Sequence, residues 1–379
     1  MKSQNHELKI LGFLLNLPLS ERGVSGTRSI LTHHLKRRGY VHSIVDVECN
    51  SALKKLMKFR NIDYNIYRWL FKNDIDIATR YIQSKLAERR LTYIDESFNS
   101  CLQIGSMFNI NDITKLNNIK KFSYHDNNLM ALLKSSSQSY TCKKKISKAY
   151  HFEKKVYDGL DAIFTMTAYL KNSFVDDFYI PENKVYNVGF GVNISYEDYK
   201  KDFDCKTIIF VAKDSFYKKG GGVVVKAFKK AKKYIKDAKL LLVGQNLRIN
   251  EDGIEVIGFL DKRNPQNFKM LKAIYQQASL FVMPSPEEAA GNVFLEAMAH
   301  KTPCIGADRG STPEIICNNN CGDVIKPGSA DELSEKMIYF LNNKDLLKEM
   351  GENGFYSIKK YYNWDAVCGN IVNIMKQYL

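Results

Sequence analysis

Short apolar runs recur along the chain, each closed by Gly, Pro, Asn or Asp and followed by a charged stretch of helical tendency. Residues 8–15 read as a first strand. The loop Gly23-Val24-Ser25-Gly26-Thr27 then opens a helix that continues to Arg38, Gly39 ends it, and residues 43–47 form a second strand. Residues 51–90 are charged and helical in tendency, and residues 103–104, 121–124, 162–165 and 184–188 are short strands separated by helices. The Asp- and Lys-rich residues 196–206 read as a linker. A second series follows, with strands at 207–212, 239–243, 255–257, 280–283 and 304–307. Strands alternating with helices predict α/β architecture with parallel sheets and crossover helices. Two such series predict two doubly wound units, with a ligand in a cleft at the carboxyl ends of the strands.

The most informative stretch is residues 278–300, ASLFVMPSPEEAAGNVFLEAMAH. The run ending at Met283 is a buried parallel strand by pattern, Pro284 and Pro286 end it, and Gly291-Asn292 open a helix that runs to about His300. Glu288 in the loop and Glu296 in the helix bracket seven residues, among them the small Ala289, Ala290 and Gly291. Backbone N–H groups at a helix N-terminus attract phosphate or hydroxyl oxygens, and each carboxylate can accept from a pair of sugar hydroxyls. Glu296 lies among Val293, Phe294, Leu295, Ala297 and Met298, where an unpaired carboxylate is costly. A polyhydroxylated, anionic ligand fits this pattern. The plainer reading makes Glu288 a surface loop residue and Glu296 a solvated helix residue.

Thr302-Pro303-Cys304-Ile305-Gly306-Ala307 is a strand after that helix, and Gly310-Ser311-Thr312-Pro313-Glu314 is a turn into another helix. The whole stretch from Pro284 to Ile316 resembles the donor-site signature of family 4 glycosyltransferases: Glu-x7-Glu, Glu-Ala-Met-Ala, a Pro-bearing strand and a Pro-Glu turn. The family's usual Glu-Gly-Phe-Gly stands here as Glu288-Ala289-Ala290-Gly291, and its Gly-Gly turn as Gly310-Ser311. The resemblance implies the GT-B fold, two Rossmann-like doubly wound lobes facing across a cleft. Residues 1–195 would be the acceptor-side lobe and 196–362 the donor-binding lobe, with the last helix, 363–379, crossing back to the first.

Other segments extend the resemblance over nearly the whole chain. Phe210-Val211-Ala212-Lys213 and Lys218-Lys219-Gly220-Gly221 are similar to the family's strand, cation, short loop and Lys-Gly, with Lys213 in place of an arginine and one extra residue between the cations. Leaving-group charge on a nucleoside diphosphate needs such cations, and a lysine supplies a point charge without the guanidinium fork. His125, at the end of a strand in Tyr124-His125-Asp126, resembles the family's histidine beneath the donor sugar, and Gly23 to Gly26 its phosphate-approaching glycine loop. The resemblance thus assigns Glu288, Lys219, Lys213 and His125 to catalysis, and Glu296, Gly291, Asn292, Ala289, Ala290, Gly23 and Gly26 to donor binding. Glu153, Tyr157, Asp161-Ala162-Ile163 and Gly189-Phe190-Gly191-Val192-Asn193 are similar to the family's run up to its Asn-Gly-Val-Asp element. Asp74-Ile75-Asp76 fits the DxD metal motif of the other large glycosyltransferase fold, but lies in a helical segment instead of at a strand end. The resemblance implies no metal and no cofactor beyond the nucleotide-sugar co-substrate.

Composition narrows the surroundings. The chain has 379 residues, 45% of them hydrophobic, and no run approaches the 18 or more apolar residues of a membrane span. No signal-peptide pattern occurs at the start, and the eight scattered cysteines read as reduced thiols in a cytoplasmic protein. The sequon Asn193-Ile194-Ser195 is a chance match. The net charge of +15 is uneven: residues 1–195 hold 29 Lys and Arg against 18 Asp and Glu, hence +11. A solvated surface and a face resting on anionic lipid, peripheral at the inner side of the membrane, both explain this. No nucleic-acid-binding motif accompanies the charge.

The resemblance therefore implies a retaining glycosyltransferase that moves a sugar from a nucleotide sugar to an acceptor, a cell-envelope glycan or lipid-linked saccharide. A GT-B-fold nucleotide-sugar epimerase, or a non-catalytic sugar-nucleotide-binding protein, is the alternative.

Overall fold

The computed structural model describes residues 7–15, 26–65, 69, 71–73, 75–94, 97–105, 108–135, 142–213, 216–286 and 288–379. The chain forms two compact units: the first runs to Gly189 and takes back Val367–Leu379, and the second comprises Phe190–Ala366.

In the first unit the order is β1 (Ile10–Leu14), α1 (Thr27–Arg37), β2 (Val41–Asp46), α2 (Ser51–Arg60), α3 (Ile77–Leu91), β3 (Ser100–Ile104), β4 (Lys120–His125), α4 (Leu129–Ser135), α5 (Lys143–Asp158), β5 (Ala162–Thr165), α6 (Ala168–Phe178) and β6 (Val185–Asn187). Its six strands are all parallel, in the order β2-β1-β3-β4-β5-β6. β1, β3 and β5 are buried throughout, as strands covered by helices on both faces must be. Asp76 is the N-cap of α3, accepting from the Thr79 amide at 3.0 Å. That half of the DxD sequence is a helix cap; Asp74 lies outside the described residues.

Glu153 ties three elements of this unit together. Its carboxylate accepts from Arg80 Nη1 on α3 (2.9 Å), the Leu129 amide at the start of α4 (3.0 Å) and the Tyr157 hydroxyl one turn on (2.8 Å). Arg80 and Glu153 are both buried, so this ion pair, with its extra donors, is satisfied rather than exposed to solvent.

The second unit comprises β7 (Thr207–Ala212), α7 (Gly221–Ala231), β8 (Lys239–Gly244), β9 (Ile254–Gly258), α8 (Pro265–Gln277), β10 (Leu280–Met283), α9 (Asn292–Met298), β11 (Cys304–Ala307), α10 (Thr312–Ile316), β12 (Gly322–Ile325), α11 (Ala330–Leu341) and α12 (Lys344–Lys360). The parallel order β12-β11-β10-β7-β8-β9 is the doubly wound dinucleotide-fold order, with its switch point between β7 and β10. The last helix, α13 (Trp364–Lys376), carries the chain from the second unit back into the first.

Two features differ from the sequence reading. β12 has no counterpart in it: this edge strand is four residues long and only Ile325 is buried, so it leaves no apolar run to find. Residues 196–206 are not a slack linker but a strap on the second unit. Lys201 Nζ donates to the Tyr275 carbonyl (3.0 Å), the His300 carbonyl (2.8 Å) and Thr302 Oγ1 (2.8 Å), and Tyr199 donates its hydroxyl to the His300 carbonyl (2.8 Å).

Candidate active site

The switch point places the loops after β7 and β10 side by side, because Leu280 and Phe281 pair in parallel with Ile208 and Ile209. Open α/β sheets take their ligands at this place. Three glycines hold the loops together. Gly220, at φ 82°, opens α7, and a Cβ there would meet the Pro284 carbonyl oxygen at 2.4 Å. Gly310, at φ 56°, lies so close to the Glu288 backbone that a Cβ would meet its carbonyl oxygen at 1.9 Å. Gly291, at φ 69°, opens α9. Each combines a left-handed backbone with a close approach, so neither an L side chain nor its conformation fits.

Lys219 and Glu288 meet across the junction. Lys219 Nζ lies 2.6 Å from Glu288 Oε2, and Glu288 Oε1 accepts the Gly291 amide at 3.0 Å. This corrects one expectation: the helix N-terminus at Gly291 does not offer all its amides to a ligand, because Glu288 already takes one. Ala289 is half-buried and Ala290 buried beside them. Asn292 accepts on Oδ1 from Asn193 Nδ2 at 3.4 Å, and Asn193 in turn accepts from Trp364 Nε1 at 3.3 Å. The sequon asparagine is thus engaged within the second unit.

Glu296 is 2% exposed, which rules out the solvated-helix reading. One carboxylate oxygen is ion-paired with Lys262 from the loop after β9, and the other accepts the Tyr275 hydroxyl at 3.2 Å. Tyr275 stacks on His300 (centroids 5.4 Å apart, 15° between planes). The Nδ1–H of His300 donates to the Glu296 carbonyl at 2.8 Å, which assigns the proton to Nδ1. Burial, with Glu296 beside it, pushes the Tyr275 hydroxyl well above its usual range, and burial holds the His300 imidazole down to about 4. Both are therefore neutral near pH 7. Lys262 and Tyr275 were not found from the sequence. A buried glutamate demands partners, but separations of 34 and 21 residues give no local sign of which ones.

Lys213 follows β7 directly and sits with its ammonium 5.8 Å from the Phe259 ring centroid, close enough to Asp261 to help depress that carboxylate. The Arg263 hydrogen bonds are the main cause there, holding Asp261 at about 2.

His125 departs from the expectation. It ends β4, but its side chain is fully buried: Nε2 is 2.7 Å from Ser123 Oγ, and the ring lies edge-on to Tyr157 (5.5 Å) and beside Phe174 (5.1 Å). Alternation along β4 sends Ser123 and His125 to one face of the sheet and Phe122 and Tyr124 to the other, and all four side chains are buried. Gly26, at φ 122°, is exposed at the N-terminus of α1, while Gly23 lies outside the described residues. A cavity of about 650 Å³ between α3 and α5, lined in part by Tyr81, Asp112, Lys148 and His151, contains none of the motif residues.

Residues 196–356 match the model of the family described as glycosyl transferases group 1. The match lies within the second unit. The resemblance to family 4 enzymes, carried by Glu288, Glu296 and the lysine loop, agrees with the match. It is 27% identical over 223 residues to an uncharacterized glycosyltransferase of Methanocaldococcus jannaschii, covering 58% of this chain and 60% of that one. It is 22% identical to the capsular polysaccharide biosynthesis glycosyltransferase CapM of Staphylococcus aureus, over 57% and 62% of the two chains. The matched region thus spans about three-fifths of the length of these curated relatives. Among solved structures, HepE of Anabaena in complex with UDP and glucose superposes with a TM-score of 0.65 at 12% identity, over 97% of this chain and 99% of that one. The two parallel sheets are those of the GT-B glycosyltransferase fold.

Proposed function

We propose that this chain is a retaining glycosyltransferase, of hexosyltransferase type, that takes a sugar from a nucleoside diphosphate and hands it to a cell-envelope acceptor. The observation that carries this reading is the junction of Lys219, Glu288 and Gly291 at the carboxyl ends of β7 and β10. Glu296 would accept from the ribose hydroxyls and Glu288 from hydroxyls of the sugar ring. In the reaction the bond between the anomeric carbon and the phosphate oxygen breaks, its electron pair leaves with the diphosphate, and the acceptor oxygen bonds to the same carbon. Lys219, and Lys213 earlier in the same loop, would meet the growing negative charge. Each carboxylate rests on a lysine, Glu288 on Lys219 and Glu296 on Lys262. Lys219 and Lys262 are about one-third exposed, so exchanging these partners for donor groups costs little.

HepE holds UDP and glucose, which supports a uridine diphosphate sugar as the first donor to test. CapM's role in capsule synthesis and the +11 charge of residues 1–195 support a glycan or lipid-linked acceptor met at an anionic membrane face, on the cytoplasmic side. Among the described residues no helix is long and apolar enough to cross a membrane. The donor set of the junction is carboxylate and ammonium, and the reading uses no metal. The test is mass spectrometry of products after incubation with a panel of nucleotide sugars and envelope lipid extract. A product heavier by one sugar residue supports transfer. Sugar isomerised on the nucleotide without acceptor, or nucleotide bound and never cleaved, would overturn it.

A further inference from the structure

We infer that helix α2 and the first turn of α5 form a docking surface for an anionic lipid bilayer. The inference deepens the acceptor side of the function proposed above, but it stands on geometry of the first unit alone.

Helix α2 is poorly covered. Of its ten residues only Met57 is buried, while Leu56 and Phe59 are 65% and 67% exposed. Ile62 (62%) and Tyr64 (108%) continue the same exposed apolar series just beyond the helix. Scattered apolar side chains are ordinary on a protein surface, but four large ones within nine residues are a patch. The helix holds four cations, Lys54, Lys55, Lys58 and Arg60, and no acidic residue. Lys54 pairs with Glu48 and Arg60 with Asp76, whereas Lys55 and Lys58 have no ion pair among the described residues.

A second basic group adjoins this end of α2. Lys145 Nζ donates to Asn61 Oδ1 at 2.8 Å, and Asn61 is the residue that ends α2. This bond sets Lys143-Lys144-Lys145 beside the Phe59–Ile62 edge. Three cations in the first turn of a helix oppose its dipole, and α5 has no acidic residue before Glu153. Helix stability therefore does not account for them. Apolar side chains projecting among lysines are the composition of an interfacial helix, which needs both apolar insertion and attraction to anionic headgroups to bind stably. An anionic bilayer offers both. A second copy of this chain carries a net charge of +15 itself and so offers no net attraction.

The experiment is co-sedimentation of the full chain with vesicles of phosphatidylcholine alone and of phosphatidylcholine with 30% phosphatidylglycerol (about physiological anionic content). The expected result is binding to the anionic vesicles only, weakened by salt. Lys143→Gln with Lys144→Gln should lower the partition coefficient about 25-fold, at roughly five-fold per cation near an anionic leaflet. Leu56→Glu with Phe59→Glu should lower it at least about tenfold. All four side chains are exposed, and an unchanged melting temperature verifies the fold. Equal binding to both vesicle types, or anionic binding untouched by Leu56→Glu/Phe59→Glu, would overturn the inference. So would a concentration-dependent dimer, seen by light scattering and lost in that variant, without vesicle binding. No nucleotide or acceptor enters the assay, so its failure leaves the transfer reading standing, and failure of transfer leaves this one.

Discussion

Replacing Glu296 by glutamine tests the donor site with the least disturbance. The side chain is 2% exposed, with Lys262 on one oxygen and the Tyr275 hydroxyl on the other. Glutamine keeps the shape and an acceptor for Tyr275 but removes the charge. Breaking a fully buried ion pair costs about 3–5 kcal/mol, because the orphaned charge stays buried. Lys262 is 34% exposed and its ammonium can turn to water, so the cost to folding here should be about 1 kcal/mol. The ligand suffers more. A carboxylate accepting from the two ribose hydroxyls contributes about 1.5–3 kcal/mol, hence a loss of about 10- to 150-fold in nucleotide affinity. Calorimetric titration with UDP gives the affinity, and a thermal melt followed by circular dichroism gives the stability. An unchanged dissociation constant in a protein that melts normally would refute the assignment of Glu296 to the ribose. A melt lowered to the extent of a fully buried pair would refute the reasoning about Lys262.

Four further outcomes follow from the same geometry. Lys262→Met should leave UDP affinity equal or tighter, since the lysine competes for Glu296; a loss above about tenfold would make Lys262 a phosphate ligand instead. Lys219→Ala should lower kcat about 100-fold with little change in UDP binding, because leaving-group charge grows toward the transition state; a rise in KM alone would leave catalysis to another cation. Gly220→Ala should cost about 2–3 kcal/mol in urea denaturation, from the left-handed backbone and the contact with Pro284, and a cost near zero would mean that the two loops are not locked together. Burial holds the Lys201 ammonium down to about 7, below the 10.5 of an unfolded lysine. The unfolded chain then binds more protons between those values, so Lys201 makes stability rise as pH goes from about 7 toward 10.5. Lys201→Met should flatten that rise relative to the unchanged protein, and identical slopes would show the group unshifted.

Much of this protein is written locally. Apolar runs such as 207–212 and 280–283 are strands because only covered parallel strands tolerate continuous hydrophobicity, and eleven of the twelve strands among the described residues overlap a segment read as a strand from the sequence. The Glu-x7-Glu spacing and the Lys-Gly loop are local too, since a loop and the helix after it need only neighbours in sequence. Tertiary structure decided what local pattern does not contain. Strand order brought β7 beside β10, and with it Lys219 onto Glu288 across 69 residues. It gave Glu296 its two partners and turned residues 196–206 into a strap held by the Lys201 ammonium. It also covered both faces of β4, and so buried His125 against Tyr157 and Phe174, although the strand-end position alone looks like that of a site residue. A sequence states which residues need burial or a partner; only the packed sheet, which brings distant segments within a few ångströms, supplies the partner.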